Sequence, residues 1–302
     1  MVIYFSKINL VSDHIFQVYD TSGDALRNIL SILLGDMRSG IYYEENKDYI
    51  DKDGNLIPNK IRYNLKIQKK DEESITGVIY KKTRVLYKDF QNGMSELVQK
   101  SIVSFEGIRF YFDVYKETIG FCTTNRFGYQ EFNRAFAGVI NTCLARNRRD
   151  FVFDVALRTE GLSMDEIENQ LHQINGIKEL KFKFQPPNPD EEILDNIEQM
   201  DDDVLASMRD GNVTEMSFLF SSKSPVGLNL HTEMIQKNFD QMKSLYSIAG
   251  NQDAIGKGYI SIEAIDKSGK KYTTANQKPV KVVIDKAEEF LESCKSMIRS
   301  LI

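Results

Sequence analysis

The spacing of apolar residues along the chain predicts alternating strands and helices. A first strand, VIYFSKINLV, precedes a segment whose apolar residues recur every three or four positions, as in an amphipathic helix. Those residues are Leu26, Ile29, Leu30, Leu33 and Leu34. The same periodicity predicts helices over FGYQEFNRAFAGVINTCLARNRR, over SMDEIENQLHQI, over residues 231–249 and over DKAEEFLESCKSMIRSLI.

Between these helices, β-branched and aromatic residues alternate with polar ones and predict strands. The clearest alternation is IKELKFKF, which places Leu180, Phe182 and Phe184 on one face and two lysines on the other. IRFYFDVYKETIGFCTT predicts two antiparallel strands with a tight turn near Lys116. The order DFVFDVALR, helix, IKELKFKF suggests a crossover unit. We expect an α+β fold with mixed, largely antiparallel sheets and flanking helices, in one or two α/β subdomains.

A compositional break follows this last strand. QPPNPDEEILDNIEQMDDD carries adjacent prolines and then eight acidic residues with no basic one, in a pattern that predicts a helix beginning near Pro189. We therefore predict a boundary between an α+β domain of residues 1–187, with basic strands, and a second α+β region of residues 188–302 that begins with the acidic helix.

Composition favours a globular protein of the cytoplasm. Of the 302 residues, 41% are apolar and 27% are charged, and the net charge is -5. The three cysteines are far apart and form no C-x-x-C pair, which is typical of a reducing compartment and not of a disulfide framework. The first residues do not resemble a secretion signal, and no apolar run approaches the roughly 20 residues of a membrane helix.

Motifs for enzyme chemistry are weak. The chain contains neither a phosphate-binding G-x-x-x-x-G-K-[ST] loop nor a complete G-x-G-x-x-G, and we expect no cofactor and no metal site. The three histidines lie on different predicted elements. The best enzyme candidate is a magnesium-dependent nuclease, in which Asp154 on one strand and Glu179 with Lys181 on another would surround the metal.

Basic segments carry the main hypothesis. Residues 60–88 hold nine Lys or Arg against three acids, residues 145–149 hold three arginines, and residues 256–281 hold six lysines against two acids. If the three segments share a face, they would form a positive surface for phosphates. The residues expected to bind DNA are Lys81, Lys82, Arg84, Arg146, Arg148, Arg149, Lys257, Lys267, Lys270 and Lys271. Because no helix-turn-helix pattern is convincing, binding would be independent of base sequence.

Two stretches resemble RexA-type phage-exclusion proteins. One runs from ETIGFCTTNRFG through a helix to DFVFDVALRTEGLSMDEIENQLHQINGIKELKFKF, and the other joins ISIEAIDKSGKKYT to KAEEFLESCKSMIRS. The resemblance covers residues 105–187 and 258–300. It implies a homodimer that binds double-stranded DNA without strong sequence preference, acts in bacterial or prophage defence against phage, and signals to a membrane-protein partner. It also implies a fold like that of the nucleoid protein RdgC.

Three hypotheses follow from these observations. The first is a non-enzymatic, sequence-independent DNA-binding protein of anti-phage defence. The second is the magnesium-dependent nuclease, acting as a defence effector. The third is a protein-interaction module of a defence or counter-defence complex, which would use the acidic helix or an exposed sheet edge and would not bind DNA.

Overall fold

The computed structural model describes residues 1–21, 24–50, 54, 56–90, 97–189 and 203–301. Their strands form a large sheet, a four-stranded sheet and a short hairpin, and every strand pair described is antiparallel. The strands are β1 (Val2–Leu10), β2 (Tyr42–Asn46), β3 (Tyr49–Ile50), β4 (Leu56–Ile57), β5 (Lys60–Lys70), β6 (Ser74–Phe90), β7 (Leu97–Asp113), β8 (Thr118–Cys122), β9 (Phe153–Leu157), β10 (Ile177–Phe184), β11 (Met216–Ser221), β12 (Ile260–Asp266), β13 (Lys271–Thr273) and β14 (Lys281–Val283).

Helices flank these sheets, and the predicted α+β fold class is confirmed. The helices are α1 (His14–Asp20), α2 (Asp24–Asp36), α3 (Tyr129–Arg146), α4 (Met164–His172), α5 (Asp203–Asp210), α6 (Glu233–Ile248), α7 (Gln252–Gly256) and α8 (Phe290–Ser300). At the start of α4, the Ser163 hydroxyl accepts from the Glu166 amide, and the Glu166 carboxylate accepts from the Ser163 amide. None of the helices in these ranges combines the length and the apolar character that a bilayer crossing needs.

The first sheet has the strand order β14-β1-β8-β7-β6-β5-β2, and β9 also pairs with β1. Its strands β6 and β7 form a long hairpin, paired from Ser74 with Asp113 to Phe90 with Leu97. The predicted tight turn near Lys116 joins β7 to β8, where Glu117 adopts a left-handed backbone with φ 52°. The second sheet has the order β11-β10-β12-β13.

One apolar core joins the two sheets. It includes the stripe of α2, the buried face of α3, and Leu180, Phe182 and Phe184 of β10, all three without solvent exposure. A smaller cluster lies on the opposite side of the first sheet, where Phe290 and Cys294 of α8 pack against β1 and β8. Residues therefore pack on both sides of the first sheet, but the cluster on the α8 side is smaller than the main core on the other side.

The predicted crossover unit is wrong, because β9 belongs to the first sheet and β10 to the second. A crossover strand in a parallel sheet is buried on both faces. In β10 one face is buried while Lys181 and Lys183 remain partly exposed on the other, as suits an antiparallel strand with one solvated side.

The boundary predicted between residues 187 and 188 would divide the second sheet. Its strand β10 lies before this position, and its strands β11, β12 and β13 lie after it. Asn188 itself is buried against β1: its Oδ1 accepts from the Leu10 amide at 2.8 Å, and its Nδ2 donates to the Ile8 carbonyl at 3.1 Å. The acidic helix expected from Pro189 onwards falls on residues 190–202, which lie outside the described ranges.

Candidate nucleic-acid interface

On one side of the first sheet, α8 packs over β1 and β8. Packing there is so close that a Cβ on Gly120 would lie 2.6 Å from Cys294 Sγ. Across β5, β6 and β7 many side chains on the same side are exposed, and we call this part the outer face. Its exposed residues are Lys60, Arg62, Lys66, Tyr80, Lys82, Arg84, Val103, Phe105 and Arg109.

Strand register sets the outer-face side chains in rows. Arg62 of β5 pairs with Lys82 of β6, and Lys82 pairs with Phe105 of β7. Because directly opposed residues project to the same side of a sheet, with Cβ atoms about 4.5–5.5 Å apart, the three side chains form one row across three strands. Arg84 lies two residues beyond Lys82 and faces the same side.

Cations and aromatic rings are in contact along this surface. The Lys82 Nζ atom lies 5.6 Å from the centroid of the Phe105 ring, and Phe105 is 65% exposed. The guanidinium of Arg62 lies 4.4 Å from the Tyr42 ring centroid, and that of Arg146 lies 4.9 Å from the same centroid. Both distances are within the range of a cation–π contact. Tyr42 therefore links the end of α3 to the edge of the outer face.

The outer face has an excess of positive charge. Glu44 accepts from Lys60 at 2.5 Å and from Arg62 at 2.6 Å, and hydrogen bonds from these two cations lower the pKa of its carboxyl. By contrast, Lys66, Lys82 and Arg84 are exposed and form no ion pair with any residue in the described ranges. Their charges are thus open to an anionic ligand.

Lys81 lies on the other side of the sheet, because successive residues of a strand point in opposite directions. Its Nζ binds the Glu131 carboxylate at 2.8 Å and the Arg126 carbonyl at 2.9 Å, and its side chain is only 12% exposed. This predicted DNA-binding residue therefore does not belong to the outer face.

Glu131 is part of a polar network beneath α3. The hydroxyl of buried Tyr63 lies 2.7 Å from Glu131 and 2.8 Å from Glu45, so that its single proton can be donated to either carboxylate. Burial and these two acceptors raise the pKa of Tyr63 far above its usual range. Arg134 binds both oxygens of Glu45, at 2.8 and 2.9 Å, and this contact lowers the pKa of the Glu45 carboxyl.

The arginines at the end of α3 have different environments. Arg146 lies against the Tyr42 ring, and the exposed Arg148 has a left-handed backbone with φ 58°. Arg149 donates from Nε to Asp36 at 3.2 Å, and its amide donates to the Leu144 carbonyl at the helix end. Positive charge near a helix C-terminus also stabilises the helix. Arg146 is the member of this cluster in contact with the edge of the outer face.

The lysines of residues 256–281 that were expected to bind DNA belong to the second sheet and its α7 connection. Lys257 pairs with Asp253 at 2.9 Å, and Lys271 pairs with Glu263 at 3.0 Å. Lys267 and Lys270 are exposed at the β12–β13 turn. They share no strand ladder with the cations of β5 and β6, because the two groups belong to different sheets.

Asp266 shapes that turn. Its Oδ1 accepts from the Ser268 hydroxyl at 2.6 Å, from the Ser268 amide at 2.7 Å and from the Lys270 amide at 2.9 Å. These hydrogen bonds, that of the Ser268 hydroxyl above all, lower the pKa of the Asp266 carboxyl. The lysines at this hairpin tip are therefore held on a defined turn.

The carboxylates of the nuclease hypothesis lie on separate sheets. Asp154 is in β9, opposite Asn9 of β1, whereas Glu179 is in β10, opposite Ser221 of β11. Within the described ranges, no three His, Cys, Asp or Glu residues are grouped so that they could hold a metal ion. Nothing in this geometry favours the two-carboxylate arrangement that the hypothesis requires.

Two of the histidines are closer than the sequence indicated. The rings of His172, in α4, and His231, before α6, are stacked with their centroids 4.7 Å apart. Both residues are exposed. These two histidines are therefore neighbours in the folded protein although they belong to different parts of the chain.

Sequence reasoning missed several residues of the outer face and its edge: Tyr42, Arg62, Lys66 and Phe105. The alternation in KIRYNLKI places Arg62 and Lys66 on one side of a strand, and this signal was present in the sequence. Phe105 and Tyr42 join them only through the pairing of distant strands, which the sequence does not reveal.

The chain belongs to the family described as a domain of unknown function, DUF4747, whose model matches residues 50–302. This match spans β4 to α8 and includes the whole outer face. No curated protein and no solved structure matches the chain.

Proposed function

We propose that this protein binds nucleic acid through its phosphates, using the outer face and without preference for base sequence. The observation that carries the proposal is the row formed by Arg62, Lys82 and Phe105, together with exposed Lys66 and Arg84, which form no ion pair within the described ranges. Lysine and arginine supply the charge that phosphates need, and an exposed aromatic ring offers a surface for a base or a sugar.

The geometry favours backbone contact over base reading. The cations lie on a broad strand surface, and none is grouped on a helix that could enter the major groove. Phosphate contacts position a protein on DNA and carry no sequence information. Binding of this kind would be strongly dependent on salt, because each contact releases counterions.

The biological setting of the proposal rests on the resemblance to RexA-type proteins. It comprises double-stranded DNA as the ligand, a homodimer, a membrane-protein partner and a role in anti-phage defence. A cytoplasmic location also belongs to the proposal. Its support is that Cys122, Cys143 and Cys294 are all free and buried, as expected for a protein of a reducing compartment.

A mobility shift with random duplex DNA tests the proposal. The wild-type protein should retard the duplex at low salt and lose most of its affinity between about 50 and about 200 mM salt. The double variant Lys66→Ala/Lys82→Ala should bind more weakly at every salt concentration. Its matched control is Lys223→Ala/Lys237→Ala, which removes two exposed lysines outside the first sheet.

The control separates a defined surface from a general effect of charge. Equal weakening by the two double variants would argue against the outer face. Tight, salt-insensitive binding to one particular sequence would reject the sequence-independent mode. Absence of any shift even at about 50 mM salt would remove nucleic acid as the ligand.

A protein-interaction module is the second candidate function. Val103 and Phe105 lie on the outer face of β7 and are 46% and 65% exposed, and neighbouring exposed apolar side chains are typical of contact surfaces. This candidate predicts no DNA shift even at about 50 mM salt. It also predicts that Val103→Ser would abolish a partner contact while leaving the free energy of unfolding almost unchanged.

A further inference from the structure

A cavity of about 380 Å³ lies on the side of β6 and β7 that faces α3, opposite the outer face. Lys81 and Glu106, which are paired across these two strands, project towards it, Lys47 follows β2, and Arg126 comes from the loop before α3. Its volume is within the range of about 300–1,000 Å³ that is usual for small-molecule sites.

Positive charge dominates the lining. Four of the lining residues are basic, and Glu106 is the acidic one. Lys81 is neutralised by Glu131, and the Arg84 side chain projects to the outer face, whereas Lys47 and Arg126 are exposed and form no ion pair within the described ranges. The cavity therefore has a net positive charge even after the contact between Lys81 and Glu131 is counted.

The chemistry of the lining fits a phosphate group. The guanidinium group of Arg126 can donate two parallel hydrogen bonds to phosphate oxygens, and Lys47 adds a mobile point charge. The Ser104 hydroxyl, which also lines the cavity, can donate a further hydrogen bond. We propose that this cavity binds a phosphomonoester, as carried by a free nucleotide or by the phosphorylated end of a nucleic acid.

This inference goes beyond the proposed function, because it requires a terminal phosphate where the outer face requires only a polyanion. The outer face and the cavity lie on opposite sides of β6, because Lys82 and Arg84 project to one side of the strand and Lys81 to the other. The cavity could accept the phosphorylated end of a nucleic acid. The cavity could equally bind a nucleotide in a protein that does not bind DNA.

Calorimetric titration of the full chain with adenosine 5′-monophosphate, at constant ionic strength, tests the inference. Adenosine is the control ligand, since it lacks only the phosphate. We expect the monophosphate to bind and adenosine not to bind. The variant Arg126→Met should weaken binding about tenfold or more, as expected when a charged hydrogen bond is removed. Lys237→Met, which removes one charge from the exposed surface of α6, should leave it unchanged.

Equal affinity for adenosine and its monophosphate, absence of binding, or equal weakening by Arg126→Met and Lys237→Met would each overturn the inference. The source of the phosphate is tested with one oligonucleotide, prepared with and without a 5′-phosphate. Tighter binding of the phosphorylated form, abolished in Arg126→Met, would assign the cavity to nucleic-acid ends.

Equal binding of the two oligonucleotides, with retained binding of the monophosphate, would assign the cavity to free nucleotides. If the oligonucleotides bind but neither the 5′-phosphate nor the free monophosphate has any effect, the outer-face proposal stands and the cavity inference fails. If the monophosphate binds but no oligonucleotide does, the cavity inference stands and the outer-face proposal fails.

Discussion

The Lys7 ammonium lies 2.6 Å from the Glu117 carboxylate, and the side chains are 10% and 12% exposed. The second oxygen of Glu117 accepts from Asn188 Nδ2, and Asn188 also bonds to the backbone of β1. Burial lowers the pKa of Lys7 although Glu117 opposes the shift. This ion pair connects β1, the β7–β8 turn and the segment that leaves β10.

We expect Glu117→Gln to lower the free energy of unfolding by about 3–5 kcal/mol, because it leaves the Lys7 charge buried without its counter-ion. Urea denaturation measures the change. The matched control is Glu233→Gln, which removes the exposed partner of Lys237 and should have almost no effect. A loss as small as that of the control would show that Lys7 finds water or another partner.

Gly138 allows α3 to approach β2 closely. A Cβ at this position would lie 2.5 Å from the ring of Tyr43. Alanine usually stabilises a helix by about 1 kcal/mol relative to glycine. Here we expect Gly138→Ala to destabilise the protein by about 1–3 kcal/mol, because the ring or the helix must shift. Gly35→Ala, in α2 with no atom within 4 Å of the new Cβ, should be neutral or stabilising in the same denaturation experiment.

The Glu45–Arg134 contact should make stability dependent on acid. The pKa of Glu45 is lowered from its ordinary value of 4.5, chiefly by the Arg134 hydrogen bonds. Its contribution is therefore complete above the ordinary carboxyl pKa and is lost as the pH falls through the lower pKa of the folded state. We expect Glu45→Gln to be less stable than wild type near neutral pH, with the difference shrinking towards about pH 3. Unfolding measured across this range would contradict the assignment if the difference stayed constant.

The salt dependence of DNA affinity should report how many cations of the outer face contact phosphates. For duplex DNA, the slope of log affinity against log salt changes by about 0.9 for each phosphate that the protein no longer neutralises. We therefore expect Lys82→Ala to reduce the slope by about one unit, and Lys66→Ala/Lys82→Ala to reduce it by about two. Lys81→Ala should leave the slope almost unchanged, since its charge is taken up by Glu131.

Arg158 is a buried cation with incomplete pairing. It is 7% exposed, its Nε has no hydrogen-bond partner within the described ranges, and burial lowers the pKa of its guanidinium. A buried charge is costly unless it is well paired. We expect Arg158→Met, which retains most of the volume, to be neutral or stabilising in urea denaturation. A large loss of stability would mean that the guanidinium makes a favourable contact with an anion.

Local patterns in the sequence predicted much of the secondary structure. The stripes of α2 and α3, the alternation of β10 and the capping box of α4 all depend on residues close to one another along the chain. The same patterns did not predict α1, whose seven residues are too short for a clear period. Tertiary contact between Phe16 and the main core stabilises it instead.

Long-range pairing limited what could be predicted of the site. Within KKTR the alternation assigns Lys82 and Arg84 to one side and Lys81 to the other, yet only the position of α3 shows which side is exposed. The neighbours Phe105 and Tyr42 belong to strands whose register depends on folding of the whole sheet. Charge composition alone does not show which lysines are already paired with carboxylates.

The position of β1 has a consequence for how the chain folds. This strand pairs with residues 118–122, with residues 153–157 and with residues 281–283, so its partners are spread over most of the sequence. Contacts between distant residues slow folding, because long loops must close before the contacts form. On the ribosome, β1 emerges before all of these partners, and its pairing with β14 must wait until residues 281–283 have been synthesised. Until then an apolar strand edge stays open, and chaperones have the longest opportunity to bind the nascent protein there.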